Sequence, residues 1–176
     1  MKKLVTLSDN SQVYLRSPQK NDVQAFNQLV NKLVAEDTYF LVQEPISLES
    51  TKFIQQYFDD PEGKKHRLIL VEDADKIVGW VNLDYLNDRS PHVRELGIIL
   101  LAAYRGKGLG TILLEEAIRQ AKEMNVEIIT LHTAEANTIA TRLYERFGFK
   151  LAGMVPEKVI YHGKKMGHLW MYLRLK

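Results

Sequence analysis

Three glycines at alternate positions, in Arg105-Gly106-Lys107-Gly108-Leu109-Gly110, follow an apolar run and precede a helical pattern. A turn so stripped of side chains lets backbone N–H groups converge on one anion, and the positive end of the following helix dipole adds to the attraction. A diphosphate suits such a cradle, with Arg105 and Lys107 adding charge at its rim and Thr111 offering a hydroxyl. The spacing is that of neither of two common phosphate loops. The dinucleotide pattern G-x-G-x-x-G places its third glycine one residue later, and a Walker loop ends in Gly-Lys-Ser/Thr. Nor does an acid end the next strand: Glu127 begins it instead. A tight strand–helix turn without a ligand, and a nucleotide-binding α/β enzyme using the turn for another phosphate, are the competing readings.

A second constellation lies downstream. Asn137 and Tyr144 are seven residues apart and so about 20° apart on a helix. Ile139, Leu143 and Phe147 cluster about 90° away and are expected to mark the core face. That puts Tyr144 at the stripe's edge, its ring packed and its hydroxyl facing a cleft. Asn137 suits a helix N-cap. Gly148 suits the left-handed residue after the helix, with Phe149 packing back onto it.

The elements that would hold these residues are legible from periodicity. Gln12–Arg16 alternates as a strand, and Ser17-Pro18 announces a helix over 21–36 carrying Val23, Phe26, Leu29, Val30, Leu33 and Val34 on one face. A shorter helix is expected over Leu48–Phe58, stopped by Asp60-Pro61-Glu62-Gly63. His66–Glu72 and Lys76–Leu86 read as a hairpin around Asp73-Ala74-Asp75. Arg94–Leu101 is apolar enough for a strand buried on both faces. A helix over Thr111–Met124 carries Leu113, Leu114, Ala117, Ile118, Ala121 and Met124 in one arc, and Val126–Thr133 is another strand. Strand, helix and strand so joined form a βαβ unit with parallel strands and a right-handed crossover. Strands over 149–155 and 167–175 complete an α/β architecture with a mixed sheet.

Composition bounds the rest. The 176 residues are 45% hydrophobic and 26% charged, which suits one domain spanning 1–176. The absence of cysteine excludes disulfides, a thiol nucleophile and thiolate metal sites. No apolar run reaches the roughly 20 residues that span a bilayer, and the start turns polar too early for a signal peptide, so no membrane and a cytoplasmic location are expected. A net charge of +2 does not argue for nucleic acid. Residues 1–90 carry 11 Lys/Arg against 14 Asp/Glu, and the remainder 13 against 8, so the basic half suits a phosphate-bearing ligand and the acidic half a cationic one. Ordinary scatter between half-chains explains the same asymmetry.

Glu95-Leu96-Gly97-Ile98, Tyr104 with the glycine turn, Ala136-Asn137, Leu143-Tyr144 and Gly148-Phe149 together resemble the GNAT superfamily of N-acetyltransferases, strongly over about 92–152. The resemblance implies an α/β fold: a mixed, mostly antiparallel sheet with a central splayed parallel pair and helices on both faces. It implies acetyl-CoA as co-substrate, its pantetheine between the splayed strands beside backbone groups of Ile98, Ile99 and Leu100. It places Gly106 to Thr111 around the diphosphate, Asn137 beside the cofactor and the Tyr144 hydroxyl at the cofactor sulfur, as the acid that protonates the leaving thiolate. Leu101-Ala102-Ala103 departs from the polar or proline turn usual there. A homodimer is expected by analogy alone. A GNAT-like domain that senses acyl-CoA or scaffolds a partner without turnover is the rival.

Transfer to an amine poses a proton problem. A lysine-like amine of pKa about 10.4 is neutral in roughly one molecule per thousand at pH 7, so attack needs a nearby proton acceptor. Glu95 is the first choice, because it lies early in an otherwise apolar strand where partial burial would raise its pKa. Asp84, His92 and His132 compete. No metal site is suggested, and direct transfer needs no protein nucleophile. A backbone amide near Ile98 would polarise the thioester carbonyl. The acceptor, a small-molecule or protein amine, has no signature in 20–60 or 156–168. The charged stretch Glu157–Lys165 is read as an exposed hairpin.

Overall fold

The computed structural model describes residues 2–36, 39–60 and 63–176 and, of residues 52 and 53, the backbone only. Among the described residues, most strands pair with their neighbours in sequence, which builds one eight-stranded sheet. The strands are β1 (Lys2–Thr6), β2 (Gln12–Arg16), β3 (Arg67–Asp73), β4 (Lys76–Asp84), β5 (Val93–Leu100), β6 (Ile128–Ala134), β7 (Lys150–Tyr161) and β8 (Lys164–Arg174). Their spatial order is β1-β2-β3-β4-β5-β6-β8-β7. Ala74 and Asp75 both have positive φ, as do His162 and Gly163, which is the backbone of the two-residue primed turns that suit twisted hairpins. The charged stretch ending at Lys165 is the tip of the second of these hairpins. The alternation at 12–16 has a partner the sequence did not announce, β1.

All pairings are antiparallel except that of β5 with β6. This parallel pair holds only from Val93↔Ile128 to Glu95↔Thr130. Yet β5 stays paired to β4 as far as Leu100, and β6 stays paired to β8 as far as Ala134. The two strands therefore part beyond Glu95 and leave a wedge in the middle of the sheet. Strand β5 is consequently not buried throughout, as its composition suggested: Leu96 and Leu100 are buried, while Gly97, Ile98 and Ile99 keep partial exposure.

Helices α1 (Val23–Ala35) and α3 (Leu109–Glu123) bury the predicted stripes: Phe26, Leu29, Val30 and Leu33 in one, and Leu113, Leu114, Ala117 and Ala121 in the other. Full burial of each such aliphatic or aromatic side chain stabilises by about 1.5–3 kcal/mol. The helices lie on opposite faces. The Phe26 ring sits 4.8 Å from that of Trp80, which alternation places on the same face as Asn82 and Asp84. On the other face, a Cβ built at Gly148, after helix α4 (Thr138–Arg146), would lie 3.5 Å from Leu173, and one built at Gly110 of α3 would lie 3.4 Å from Leu143 of α4. Where one helix was expected over 48–58 there is a 3-10 turn, Glu49–Ile54, and then one α-turn, α2 (Gln55–Phe58). Ser47 and Thr51 hydrogen-bond to the local backbone there and so favour the tighter turn. The expected stop falls partly on residues 61–62, outside the described residues.

Helix α4 departs most from its pattern. Ile139 is 86% exposed, whereas Tyr144, expected at the stripe's edge, is 8% exposed and is the buried residue of the helix. The end of α4 matches expectation closely. Gly148 has φ +88°, its N–H donates to the Glu145 carbonyl and that of Phe149 to the Tyr144 carbonyl, a Schellman closure. An L side chain in this conformation costs about 1–2 kcal/mol. Gly148→Ala should therefore lower the melting temperature by roughly 3–6 °C, measured by calorimetry. An unchanged melting temperature would contradict that backbone. Among the described residues, no helix is long and apolar enough to cross a membrane.

Candidate active site

Gly106 and Gly108 adopt φ of +72° and +80°, which L residues rarely accept, and a Cβ built at either meets nothing within 4 Å. Gly108 is the N-cap of α3 and supplies no side-chain acceptor, so the N–H groups of Leu109 and Gly110 meet no side-chain cap, while that of Thr111 donates to the Gly108 carbonyl. The helix starts at Leu109, two residues earlier than its apolar periodicity indicated, because that side chain is fully buried. Leu109 thus offers the cradle its backbone only. Neighbouring elements fix the turn in place. The Tyr104 hydroxyl donates to Asp73 at 2.6 Å, and the Ser8 N–H donates to the Lys107 carbonyl at 3.1 Å.

Both rim cations have partners within the chain. Lys107 lies 2.9 Å from Asp9, whose carboxyl is held down at about 2, first by the Ser11 hydroxyl and then by Lys107. Arg105 donates to the Leu100 carbonyl at 2.8 and 2.6 Å, and to Glu36 at 3.2 Å. Glu36 also accepts the Ala102 N–H, so the departing Leu101-Ala102-Ala103 stretch is anchored by a carboxylate from the end of α1.

The wedge has a polarity that follows from strand geometry. The His92 carbonyl accepts from Glu127 and Ile128, and that of Leu100 accepts from Arg105, whereas the Leu101 N–H donates to Val78 of β4. Even-numbered residues of β5 thus turn their backbone groups toward β6, and odd-numbered ones toward β4. Leu96 and Ile98 direct theirs into the gap, and Ile98 is the residue expected to polarise a carbonyl. Ile99 does not share this direction: its backbone faces β4 and only its side chain lines the cleft. The Leu100 carbonyl is taken by Arg105.

A cleft of about 270 Å³ opens at the wedge on the α1 face. Tyr144 reaches it from α4, its ring 5.7 Å from Phe149, and burial pushes its phenol up to about 12. Asn137 caps α4 through the Ala140 N–H at 3.4 Å and donates to Thr133 at 3.2 Å, also at the cleft. Glu95 sits at the last paired rung before the strands part. Its Oε1 lies 3.5 Å from Nε2 of His132, whose Nδ1 lies 3.2 Å from Nε2 of His168.

The other expected bases are placed differently. Asp84 already accepts from Tyr57 at 2.8 Å and Asn82 at 2.7 Å and lies 3.4 Å from His66. Burial, and then Asp84, pushes the Tyr57 phenol far above its ordinary value. His92 is exposed beneath the strand, away from the cleft. The sequence reading missed His168, and with it Trp80, Asn82 and the segment Tyr39–Leu41, which also line the cleft. A signal for His168 existed. His168 and Trp170 share one strand face, and Trp170 pairs with His132. Among the described residues, no group of three or more His, Cys, Asp or Glu is arranged to hold a metal ion.

Residues 28–149 match the acetyltransferase (GNAT) family. The chain belongs to that family. It is an acyl-CoA-dependent N-acetyltransferase by class. An L-methionine sulfoximine/L-methionine sulfone acetyltransferase of Pseudomonas aeruginosa is 23% identical over 160 residues, covering 88% of this chain and 90% of the relative. An L-amino acid N-acetyltransferase of Escherichia coli is 23% identical over 163 residues, covering 92% and 97%. A GNAT superfamily phosphinothricin acetyltransferase from Sinorhizobium meliloti, solved with acetyl-CoA, superposes with a TM-score of 0.78 at 19% identity, over 93% of this chain and 88% of that one, and shows the same fold.

Proposed function

We propose that this GNAT enzyme transfers an acetyl group from acetyl-CoA to a primary amine of a small molecule, by direct attack with both substrates bound. The observation that carries the reading is the wedge itself: a gap with Ile98 backbone groups along one edge, the glycine cradle at one end, and Glu95 with Tyr144 beside the opening. The residues present fit the co-substrate. The open space over Gly106 and Gly108 admits a diphosphate, and the partly exposed apolar edge of β5 suits a pantetheine chain. When bound, acetyl-CoA supplies an acyl group activated as a thioester.

The chain's own residues do the rest. Backbone N–H groups from Gly106 to Gly110, with the Thr111 hydroxyl, hold the anion, assisted by the α3 dipole, while the Thr111 N–H donates to the Gly108 carbonyl. The Ile98 backbone polarises the carbonyl. Glu95 accepts the ammonium proton at a carboxylate oxygen, directly or through water. Tyr144 holds a proton at its hydroxyl for the leaving sulfur, and its raised pKa keeps that proton in place at any physiological pH. Relatives named for amino acids and their analogues favour a small amine, and the aromatic wall of Tyr39, Phe40 and Trp80 suits one with an apolar portion.

Thiol release from acetyl-CoA over a panel of amino acids, polyamines and arylalkylamines tests the reading. Release with at least one small amine is expected. Tight acetyl-CoA binding with no release across the panel would favour the sensor instead. The cradle has its own test in Gly106→Asp and Gly106→Asn, because both side chains tolerate left-handed backbone and differ by one charge. A like charge set against the diphosphate costs several kcal/mol. Calorimetry should thus show coenzyme A binding weakened roughly 100-fold by Asp and much less by Asn. Equal effects would refute an electrostatic cradle.

A further inference from the structure

We propose that the acceptor is a cationic amine with an aromatic or apolar body and no carboxylate on the carbon that bears its nitrogen. The inference deepens the proposed function and rests on it, since it takes the amine to dock at Glu95. The relatives described above are named for L-amino acids and for methionine sulfoximine or sulfone, compounds that carry such a carboxylate. This chain departs from them in what its cleft admits.

The floor of the cleft is graded. On β4 and β5 the cross-strand pairs Trp80↔Ile99, Asn82↔Gly97 and Asp84↔Glu95 share one sheet face. That face runs from indole and aliphatic carbon at one end to two carboxylates at the other, over about 13 Å of strand. Asn82 lies across Gly97, where a Cβ would come within 2.5 Å of its Oδ1. Its amide is turned inward: Trp80 Nε1 donates to Oδ1 at 3.0 Å, and Nδ2 donates to Asp84 at 2.7 Å. The indole thus leans toward the acidic end and shows the cleft carbon rather than its N–H. The Phe40 ring meets it edge to face at 6.0 Å, and Phe26 backs it at 4.8 Å. An amine whose nitrogen lies at Glu95 lays its body along this row, against Trp80 and Phe40.

Charge selects against an amino acid. There a single carbon separates the two groups, so an amine at Glu95 brings its carboxylate up to Glu95 and Asp84 as well. Like charges so placed repel strongly in a partly desolvated site. Relief would have to come from a cation in the cleft, and among the described residues no lysine or arginine lines it. Lys158 of β7 sits over the Trp170 ring at 5.1 Å, and Arg105 is held by the Leu100 carbonyl and Glu36. Burial, and then His132 and Lys158, push the His168 pKa below the ordinary imidazole value, against an upward pull from Glu95. The His132 nitrogens face Glu95 and His168, and the Tyr39 hydroxyl donates to the Ala136 carbonyl at 3.3 Å.

Calorimetry on the complex with coenzyme A, which has no acyl group to give, decides the preference without turnover. Phenethylamine should bind roughly 100-fold more tightly than L-phenylalanine. L-phenylalaninol, in which a hydroxymethyl group replaces the carboxylate, should bind within a few-fold of phenethylamine. Phe40→Ala should weaken phenethylamine roughly tenfold. L-phenylalanine bound as tightly as phenethylamine, spermidine bound more tightly, L-phenylalaninol as weak as the amino acid, or an unchanged affinity in Phe40→Ala would each overturn the inference. So would the failure of all these amines to bind. Acetyl-CoA in place of coenzyme A then separates the two readings. Phenethylamine that binds as expected and is not acetylated would refute the proposed function and leave the preference standing. Acetylation of phenethylamine and L-phenylalanine with equal kcat/KM would do the reverse.

Discussion

Tyr144→Phe should lower kcat by roughly 100-fold or more while leaving coenzyme A affinity within a few-fold of wild type. The magnitude is that of losing one positioned general acid. Affinity should persist because the glycine cradle and the β5 edge, not the phenol, grip the co-substrate. The ring stays in place: its burial and its contact with Phe149 belong to the phenyl group, which Phe retains. A structural tyrosine would behave in the opposite way, with activity kept at full stability. The pH profile separates the roles further. With its pKa pushed up to about 12, Tyr144 stays protonated through the accessible range and imposes no alkaline limb there. An alkaline limb near neutrality that vanished in the Phe variant would show an ionising group other than the one described. Single-turnover kinetics at saturating acetyl-CoA measure the effect, and wild-type rates in the variant would remove Tyr144 from the chemistry.

The same residue shows what a sequence can and cannot convey. Its spacing from Asn137 placed both on one helix, and both line the cleft. Its burial was misjudged, because three apolar neighbours outvoted it in a periodicity argument. What seats α4 is decided by partners that periodicity does not see: Leu143 against Gly110, and Leu173 against Gly148. The glycine turn was legible because positive φ and an absent Cβ are written directly in residue type. The wedge was legible only through family resemblance, since strand separation depends on where hydrogen bonding stops, and no local pattern distinguishes Glu95 from Leu96 in that respect. The pairing of Arg105 with Glu36, 69 residues away, and of His132 with His168, 36 away, are products of topology. The αβ order of elements was readable; the contacts between non-neighbouring strands were not.

Glu95→Gln carries the other large effect, and its dependence on pH is the sharper test. Removing the proton acceptor should lower kcat at pH 7 by roughly 100- to 1000-fold. The Gln side chain keeps the shape, so folding and acetyl-CoA binding should be retained. Without an acceptor, only amine already deprotonated in solution reacts. That fraction rises tenfold per pH unit below the amine's own pKa. The residual rate of the variant should therefore climb with slope one on a logarithmic plot and approach the wild type as pH nears the acceptor's pKa. Asp84→Asn is the matched control directly opposite Glu95 on β4, because Asp84 is committed to Tyr57 and Asn82. It should cost stability more than turnover and leave the pH slope unchanged. If the two variants exchanged these behaviours, Asp84 would be the acceptor. If Glu95→Gln lost activity by a constant factor at every pH, the carboxylate would serve to bind the ammonium rather than to take its proton.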